Sequence, residues 1–212
     1  MLRVSEIFYS LQGETRTTGL PTVFVRLTGC PLRCRWCDTE HAFKGGELLS
    51  VETILAQVAD YSPRYVTVTG GEPLAQKACL QLLTALADQG YEVSLETSGA
   101  LTLAQVDPRV VKVMDLKPPA SGESHRNRYD NIPLLDKKDQ LKFVIADRGD
   151  YEWSVAKLIE YNLSERVSDV LFSPVSEAMS PEMLAGWILA DRLPVRFQLQ
   201  LHRMIWGDRI GV

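Results

Sequence analysis

The chain has 212 residues and a formal net charge of −4. That is enough for one α/β domain with a real core, spanning residues 1–212, and short of the ~250 residues of a full eight-stranded α/β barrel. No run of Lys or Arg exceeds two, which excludes a clustered basic footprint for nucleic acid and points to a small substrate.

The longest apolar runs are strand-sized, so no membrane span is expected, and Met1-Leu2-Arg3-Val4-Ser5-Glu6 lacks the layout of a secretory signal. The expected location is cytoplasmic. In chain order, β-type runs fall at Glu6–Leu11, Thr22–Thr28, Tyr65–Thr69, Glu92–Glu96, Val110–Leu116, Gln140–Ala146, Asp169–Phe172 and Val195–Leu201. Most are nearly continuous in apolar residues, the pattern of strands buried on both faces. Between them the helical period predicts helices over Ser50–Tyr61, Leu74–Gln89, Asp150–Asn162 and Pro181–Asp191, with Ser50 and Ser180 as caps and Gly90 as a stop. The alternation predicts a mainly parallel sheet with its functional end at the carboxyl ends of the strands. Lys117–Lys138 is irregular, with Pro118, Pro119, Gly122 and Pro133, and a loop of that length in a compact domain is usually functional or mobile.

Cys30-Pro-Leu-Arg-Cys34-Arg-Trp-Cys37 follows the strand Thr22–Thr28. Three cysteines so close together make a poor disulfide framework and read as metal ligation or redox chemistry in a reducing compartment. Three thiolates suit an iron–sulfur cluster that leaves one iron open. By itself the loop also suits a structural Cys3His zinc site completed by His41. Cys79 falls at a core position of its helix and receives no chemical role. The second motif, Val66-Thr67-Val68-Thr69-Gly70-Gly71-Glu72-Pro73, runs a strand into a glycine pair that lets the backbone approach a ligand; alone, it is equally an ordinary strand-to-helix turn.

The spacing C-x3-C-x2-C, with Trp36 before its last cysteine and Gly70-Gly71-Glu72 downstream, resembles the radical S-adenosylmethionine superfamily. The resemblance implies a modified, incomplete (β/α) barrel and a 4Fe-4S cluster on Cys30, Cys34 and Cys37. It also implies S-adenosylmethionine bound at the open iron and cleaved to a 5′-deoxyadenosyl radical by an electron from an external donor, flavodoxin-like or chemical. A radical-activating enzyme that works on another protein would share these motifs.

Within the superfamily the chain looks like the 7-carboxy-7-deazaguanine synthases, through Ser10-Leu11-Gln12-Gly13-Glu14, Cys37-Asp38-Thr39, Glu96-Thr97-Ser98-Gly99, Asp115-Leu116-Lys117-Pro118-Pro119, Gln140-Leu141-Lys142-Phe143 and His202-Arg203-Met204-Ile205-Trp206. This likeness implies a radical ring contraction of 6-carboxy-5,6,7,8-tetrahydropterin to 7-carboxy-7-deazaguanine with loss of ammonia, in the pathway to queuosine-type tRNA bases, with Mg2+ and as a homodimer. It places Leu11, Gln12, Gly13, Arg26, Thr97 and His202 at the pterin and Mg2+ on Thr39. It places Trp36, Asp38, Gly70, Gly71, Glu72, Gly99, Asp115, Leu116, Lys117, Gln140 and Ser173 at S-adenosylmethionine, and leaves His41 an ordinary loop residue. An Arg26 guanidinium buried among apolar neighbours would suit a carboxylate by paired, charge-assisted bonds. The tail after Trp206 has no assigned role.

Overall fold

Among the described residues, which are all but Glu177, Asp208 and Ile210, nine strands form a single sheet in the computed structural model. They are β1 (Leu2–Leu11), β2 (Pro21–Leu27), β3 (Glu47–Leu49), β4 (Tyr65–Gly70), β5 (Glu92–Thr97), β6 (Val111–Asp115), β7 (Gln140–Ile145), β8 (Asp169–Pro174) and β9 (Arg196–Phe197). Their order is β3-β1-β2-β4-β5-β6-β7-β8-β9. β1 runs antiparallel to both β2 and β3, and all pairings from β2 through β4 to β9 are parallel. The end strands β3 and β9 do not meet, so the sheet is the expected incomplete barrel. The helices are α1 (Val51–Asp60), α2 (Cys79–Asp88), α3 (Arg148–Glu160), α4 (Leu163–Arg166), α5 (Pro181–Ala190) and α6 (Leu201–Trp206).

The strands alternate instead of being apolar on both faces. Val23, Val25, Leu27, Val66, Val68, Val93, Leu95, Met114, Leu141, Phe143, Ile145, Val170 and Phe172 share one core with Ile54 and Val58 of α1, Leu82, Leu83 and Leu86 of α2, and Tyr151 and Leu158 of α3. The intervening residues, among them Phe24, Arg26, Thr69, Glu96, Val113, Asp115, Lys142 and Val144, line a cavity on the other face. A side-chain period of two divides each strand into a helix-covered apolar half and a polar inner half. Threonines and valines share β-branched shape, so the polarity of the inner face is muted in the sequence.

Several boundaries differ from expectation. β1 begins at Leu2, and β3 pairs with that early part of it. The helix expected over Leu74–Gln89 is divided into a 3₁₀ turn at Pro73–Ala75 and α2. Between them Gln76 is extended, and its side-chain amide bonds Arg3 O, Arg3 N–H and Thr28 O, tying β1 and β2 together. α3 starts at Arg148 because the Asp147 carboxylate accepts from Asp150 N. The strand expected over Val195–Leu201 shrinks to Arg196–Phe197, and Leu201 opens α6. No helix is long and apolar enough to cross a membrane among the described residues.

Candidate active site

β2 ends against Gly29, which has φ +99° and donates its N–H to Ala42 O at 2.7 Å. The cysteine loop that follows opens on a cavity of about 490 Å³, within the range of small-molecule sites. Cys30, Cys34 and Cys37 are half-buried free thiols on its wall, whereas Cys79 is buried in the core. Burial raises all three loop thiols, Cys34 to about 11, and pushes Cys79 up to about 12.

Among the described residues the three sulfurs do not gather within 4.8 Å of one another, with or without His41. Thiolates sharing one tetrahedral zinc lie closer, about 3.8 Å apart for Zn–S bonds of ≈ 2.3 Å. A cluster that gives each cysteine its own iron suits the wider spacing. His41 instead faces Glu6, with Nε2 at 3.5 Å from Oε1.

The glycine pair has a packing task in addition to the expected one. A Cβ on Gly70 would stand 2.1 Å from Leu27 O, and one on Gly71 would stand 2.3 Å from Gly29 O and 2.8 Å from the Cys30 Cβ. Both glycines therefore let the end of β4 close against the root of the cysteine loop, while still lining the cavity. Glu72 is fully buried and accepts from Leu74 N, Ser98 N and the hydroxyls of Thr97 and Ser98. It bolts the glycine turn to the end of β5 and does not line the cavity.

A second wall comes from the chain after β1. Gln12 Nε2 donates to Thr67 Oγ1 and Glu96 Oε1, Arg16 N donates to Gln140 Oε1, and the Glu14 carboxylate takes Lys142 Nζ at 2.6 Å. This segment crosses the polar face from β4 to β7. The carboxyl-terminal chain lies over it: Gln198 Nε2 and Leu201 N both donate to Gly13 O, and a Cβ on Gly13 would come within 2.4 Å of His202 Nδ1. Gln200 Nε2 bridges Glu14 Oε1 and Asp38 Oδ2. Glu14, Asp38 and His202 bring ligand atoms within 4.8 Å of one another, and the Thr39 hydroxyl donates to Asp38 Oδ1.

Charges on this face are matched in pairs. Burial alone would raise the Glu14 carboxyl, but Lys142 and His202 hold it down at about 2. Lys142 is disfavoured by burial and held well above its ordinary value by Glu14, Asp115 and Glu96. Glu96 is raised by burial and by the Glu14 charge. Lys117 pairs with Asp115 at 2.9 Å. Asp115 Oδ1 is buried, lines the same cavity region and has no partner among the described residues, an acceptor open to a ligand's donor. Arg26, on the inner strand β2 and not on an edge, is only 18% exposed, and its Nε donates to Glu6 at 2.6 Å.

Of the residues expected from sequence, Leu11, Gln12, Gly13, Arg26, Cys30, Cys34, Trp36, Cys37, Asp38, Thr39, Gly70, Gly71, Thr97, Asp115, Lys117 and His202 converge on the cavity. Glu72, Gly99, Leu116, Gln140 and Ser173 do not line it. Gly99 has φ +68° and turns against Met114, Leu116 is core, and Gln140 holds the Arg16 backbone. Glu6, Glu14, Glu96, Ser98, Lys142 and Gln200 line the cavity without having been assigned. Lys142 carried a signal, a lone charge within an apolar strand. The tail also reaches the site, with Gly207, Arg209, Gly211 and Val212 on its wall.

Residues 24–115 match the radical SAM superfamily. A 7-carboxy-7-deazaguanine synthase of Koribacter versatilis is 43% identical over 97% of this chain and 97% of its own length. Another, of Chlorobaculum tepidum, is 42% identical over 100% of this chain and 97% of its own. The chain belongs to the 7-carboxy-7-deazaguanine synthase family. It is a radical SAM enzyme, and membership in that superfamily implies a 4Fe-4S cluster and S-adenosylmethionine. The crystal structure of QueE from Escherichia coli shares the fold, with a TM-score of 0.77 at 24% identity over 95% of this chain and 94% of that one. The three half-buried thiols and the unpartnered Asp115 oxygen fit the two groups this family requires.

Proposed function

We propose that this 7-carboxy-7-deazaguanine synthase family member contracts 6-carboxy-5,6,7,8-tetrahydropterin to 7-carboxy-7-deazaguanine with loss of ammonia. The observation that carries the reading is a single cavity whose one wall is the three-cysteine loop and whose other wall is a ring of polar side chains suited to a flat, hydrogen-bonding heterocycle. When bound, the cluster and S-adenosylmethionine supply the 5′-deoxyadenosyl radical that begins the ring contraction. Cys30, Cys34 and Cys37 hold the cluster. Trp36, Asp38, Gly70, Gly71, Asp115 and Lys117 line the side given to S-adenosylmethionine, and the Asp115 oxygen is available to one of its donors. Glu72, Gly99, Leu116, Gln140 and Ser173 support that side from behind.

Leu11, Gln12, Gly13, Arg26, Thr97 and His202 form the pterin side. Glu6 fixes the Arg26 guanidinium through Nε, which orients its other nitrogens for a carboxylate. Mg2+ belongs on the Thr39 hydroxyl, which stands beside the Asp38 carboxylate, with oxygens of the substrate and of water completing a hard-oxygen shell. We further propose one domain over residues 1–212, a homodimer, an external one-electron donor and a cytoplasmic location. One sheet that takes in β1 through β9 supports the single domain; the other points rest on the family resemblance.

Calorimetric titration of cluster-loaded protein with the carboxypterin, in the presence of S-adenosylmethionine, tests the substrate assignment. Losing a charge-assisted bond costs roughly 1.5–3 kcal/mol, so Arg26→Ala should weaken pterin binding by about one to two orders of magnitude. Its S-adenosylmethionine affinity should be unchanged. Thr39→Val should keep much of the pterin affinity and lose the Mg2+ dependence of turnover. Absence of pterin binding by the unmodified protein would refute the assignment.

A further inference from the structure

Lys142 lines the cavity yet has no task on either of the two binding sides described above. It stands on the inner face of β7, between the core residues Leu141 and Phe143, and in register with Asp115 of β6. Its side chain is only 13% exposed, and its Nζ lies 2.6 Å from Glu14 Oε2 and 3.7 Å from Asp115 Oδ2. Asp115 belongs to the S-adenosylmethionine side. Glu14 belongs with the pterin side, because it follows Gly13 and its Oε1 stands 3.8 Å from His202 Nε2. One buried ammonium therefore ties the two sides together.

Each side also has anchors of its own. Lys117 Nζ pairs with Asp115 Oδ2 at 2.9 Å. The loop that carries Glu14 is fastened to the sheet by Gln12, through Thr67 and Glu96, and by Arg16 N on Gln140. Gln200 spans the two sides as well, from Glu14 to Asp38, but as an uncharged amide that reaches an exposed carboxylate. Burial works against the Lys142 charge, and Glu14, Asp115 and Glu96 together restore it. A buried ion pair is a weak device for stabilising a fold. A spacer of fixed length between two ligands is a use that an apolar residue in its place could not fill.

We propose that Lys142 is a positioning residue that sets the spacing between the pterin and S-adenosylmethionine and so couples radical formation to attack on the pterin. The inference rests on the function proposed above. In the coupled step one hydrogen atom leaves a C–H bond of the pterin and forms a C–H bond at the 5′ carbon of the deoxyadenosyl group. In the uncoupled step that hydrogen atom comes from the protein or the medium, and 5′-deoxyadenosine is released with the pterin intact. In both, the single electron that starts the cleavage comes from the reductant by way of the cluster.

The test follows 5′-deoxyadenosine and 7-carboxy-7-deazaguanine together in anaerobic incubations of the cluster-loaded enzyme with dithionite, S-adenosylmethionine, Mg2+ and the carboxypterin. In Lys142→Met, deazaguanine formation should fall by about tenfold to a hundredfold, the effect of a misplacement of about 1 Å. The ratio of released 5′-deoxyadenosine to deazaguanine should rise by at least about tenfold. Iron content and S-adenosylmethionine affinity should stay close to those of the unmodified enzyme, because the cysteine loop is untouched and Asp115 keeps Lys117. Lys142→Arg retains the charge in a wider, planar head; it should keep the fold and raise the same ratio by less, and it decides the matter if Lys142→Met does not fold. Lys112→Met breaks the buried pair with Asp139, which is not on the cavity wall, and should leave the ratio unchanged. An unchanged ratio in a folded Lys142 variant, or an equal rise in Lys112→Met, would overturn the proposal. If the unmodified enzyme cleaves S-adenosylmethionine but returns the pterin intact, the proposed function fails first and this proposal with it.

Discussion

Gly71 shows how a residue's function is set by what its missing side chain would touch. The motif in sequence suggests a glycine that admits a ligand, but the clash lies with Gly29 and the Cys30 Cβ. Gly71→Val should therefore disturb the cysteine loop and lower iron content, beyond any loss of S-adenosylmethionine affinity. The comparison set is Cys30→Ala, Cys34→Ala and Cys37→Ala, each of which should prevent assembly of an intact cluster, and Cys79→Ala, which should retain full iron because its thiol is buried in the core. Iron and sulfide analysis of anaerobically prepared protein reads all five. Full iron in any loop-cysteine variant would remove that residue from the ligand set, and full iron in Gly71→Val would return the glycine to a purely ligand-facing role.

At the scale of elements, the segment 117–138 is irregular in sequence but closely tied in the fold. Asn127 accepts Lys117 N and donates to Lys117 O, and the Asp150 carboxylate accepts Ala120 N and Ala146 N. Asn131 is fully buried; its amide donates to Gly99 O and Leu101 O and accepts Leu103 N. Side-chain amides thus replace the ladder bonds that a strand or helix would supply. Asn131→Leu would strand three backbone groups at roughly 1–3 kcal/mol each before relaxation. It should lower the urea midpoint by an amount equivalent to at least about 2 kcal/mol. An unchanged midpoint would show that the turn after β5 holds without it.

The cysteine loop, the glycine turn and most of the strands were legible because each is a contiguous pattern. The polar wall formed by the chain after β1 was not, because its pairings join residues far apart in the chain, Glu14 with Lys142 and Gln200 with Asp38, and the tie of Gln76 to Arg3 and Thr28 was hidden for the same reason. Short β3 and the late helix α6 escaped for the related reason that their existence depends on partners, not on periodicity.

For the molecule as a whole, the Glu14–Lys142 pair links the first loop to β7 across the open face of the sheet. The Glu14 carboxyl is held at about 2 in the fold, below the ≈ 4.3 of an unfolded glutamate. Its contribution to stability is therefore complete above the unfolded value and is lost as pH falls through about 2. Lys142 is raised, so its contribution is complete below the unfolded lysine value of ≈ 10.4 and is lost only on strong alkalinisation. Glu14→Gln should cost about 3 kcal/mol near pH 7. In urea titrations the gap to the unmodified protein should close as pH drops from about 5 toward 2. A gap that stays constant over that interval would contradict the ion-pair account.

The account's central claim is that one cavity brings a radical source and a carboxypterin together. Anaerobic incubation of the cluster-loaded protein with dithionite, S-adenosylmethionine, Mg2+ and 6-carboxy-5,6,7,8-tetrahydropterin, followed by mass spectrometry, tests it most directly. The predicted result is 7-carboxy-7-deazaguanine and ammonia formed together, dependent on all three cysteines of the loop. Cleavage of S-adenosylmethionine with the pterin recovered unchanged would contradict it.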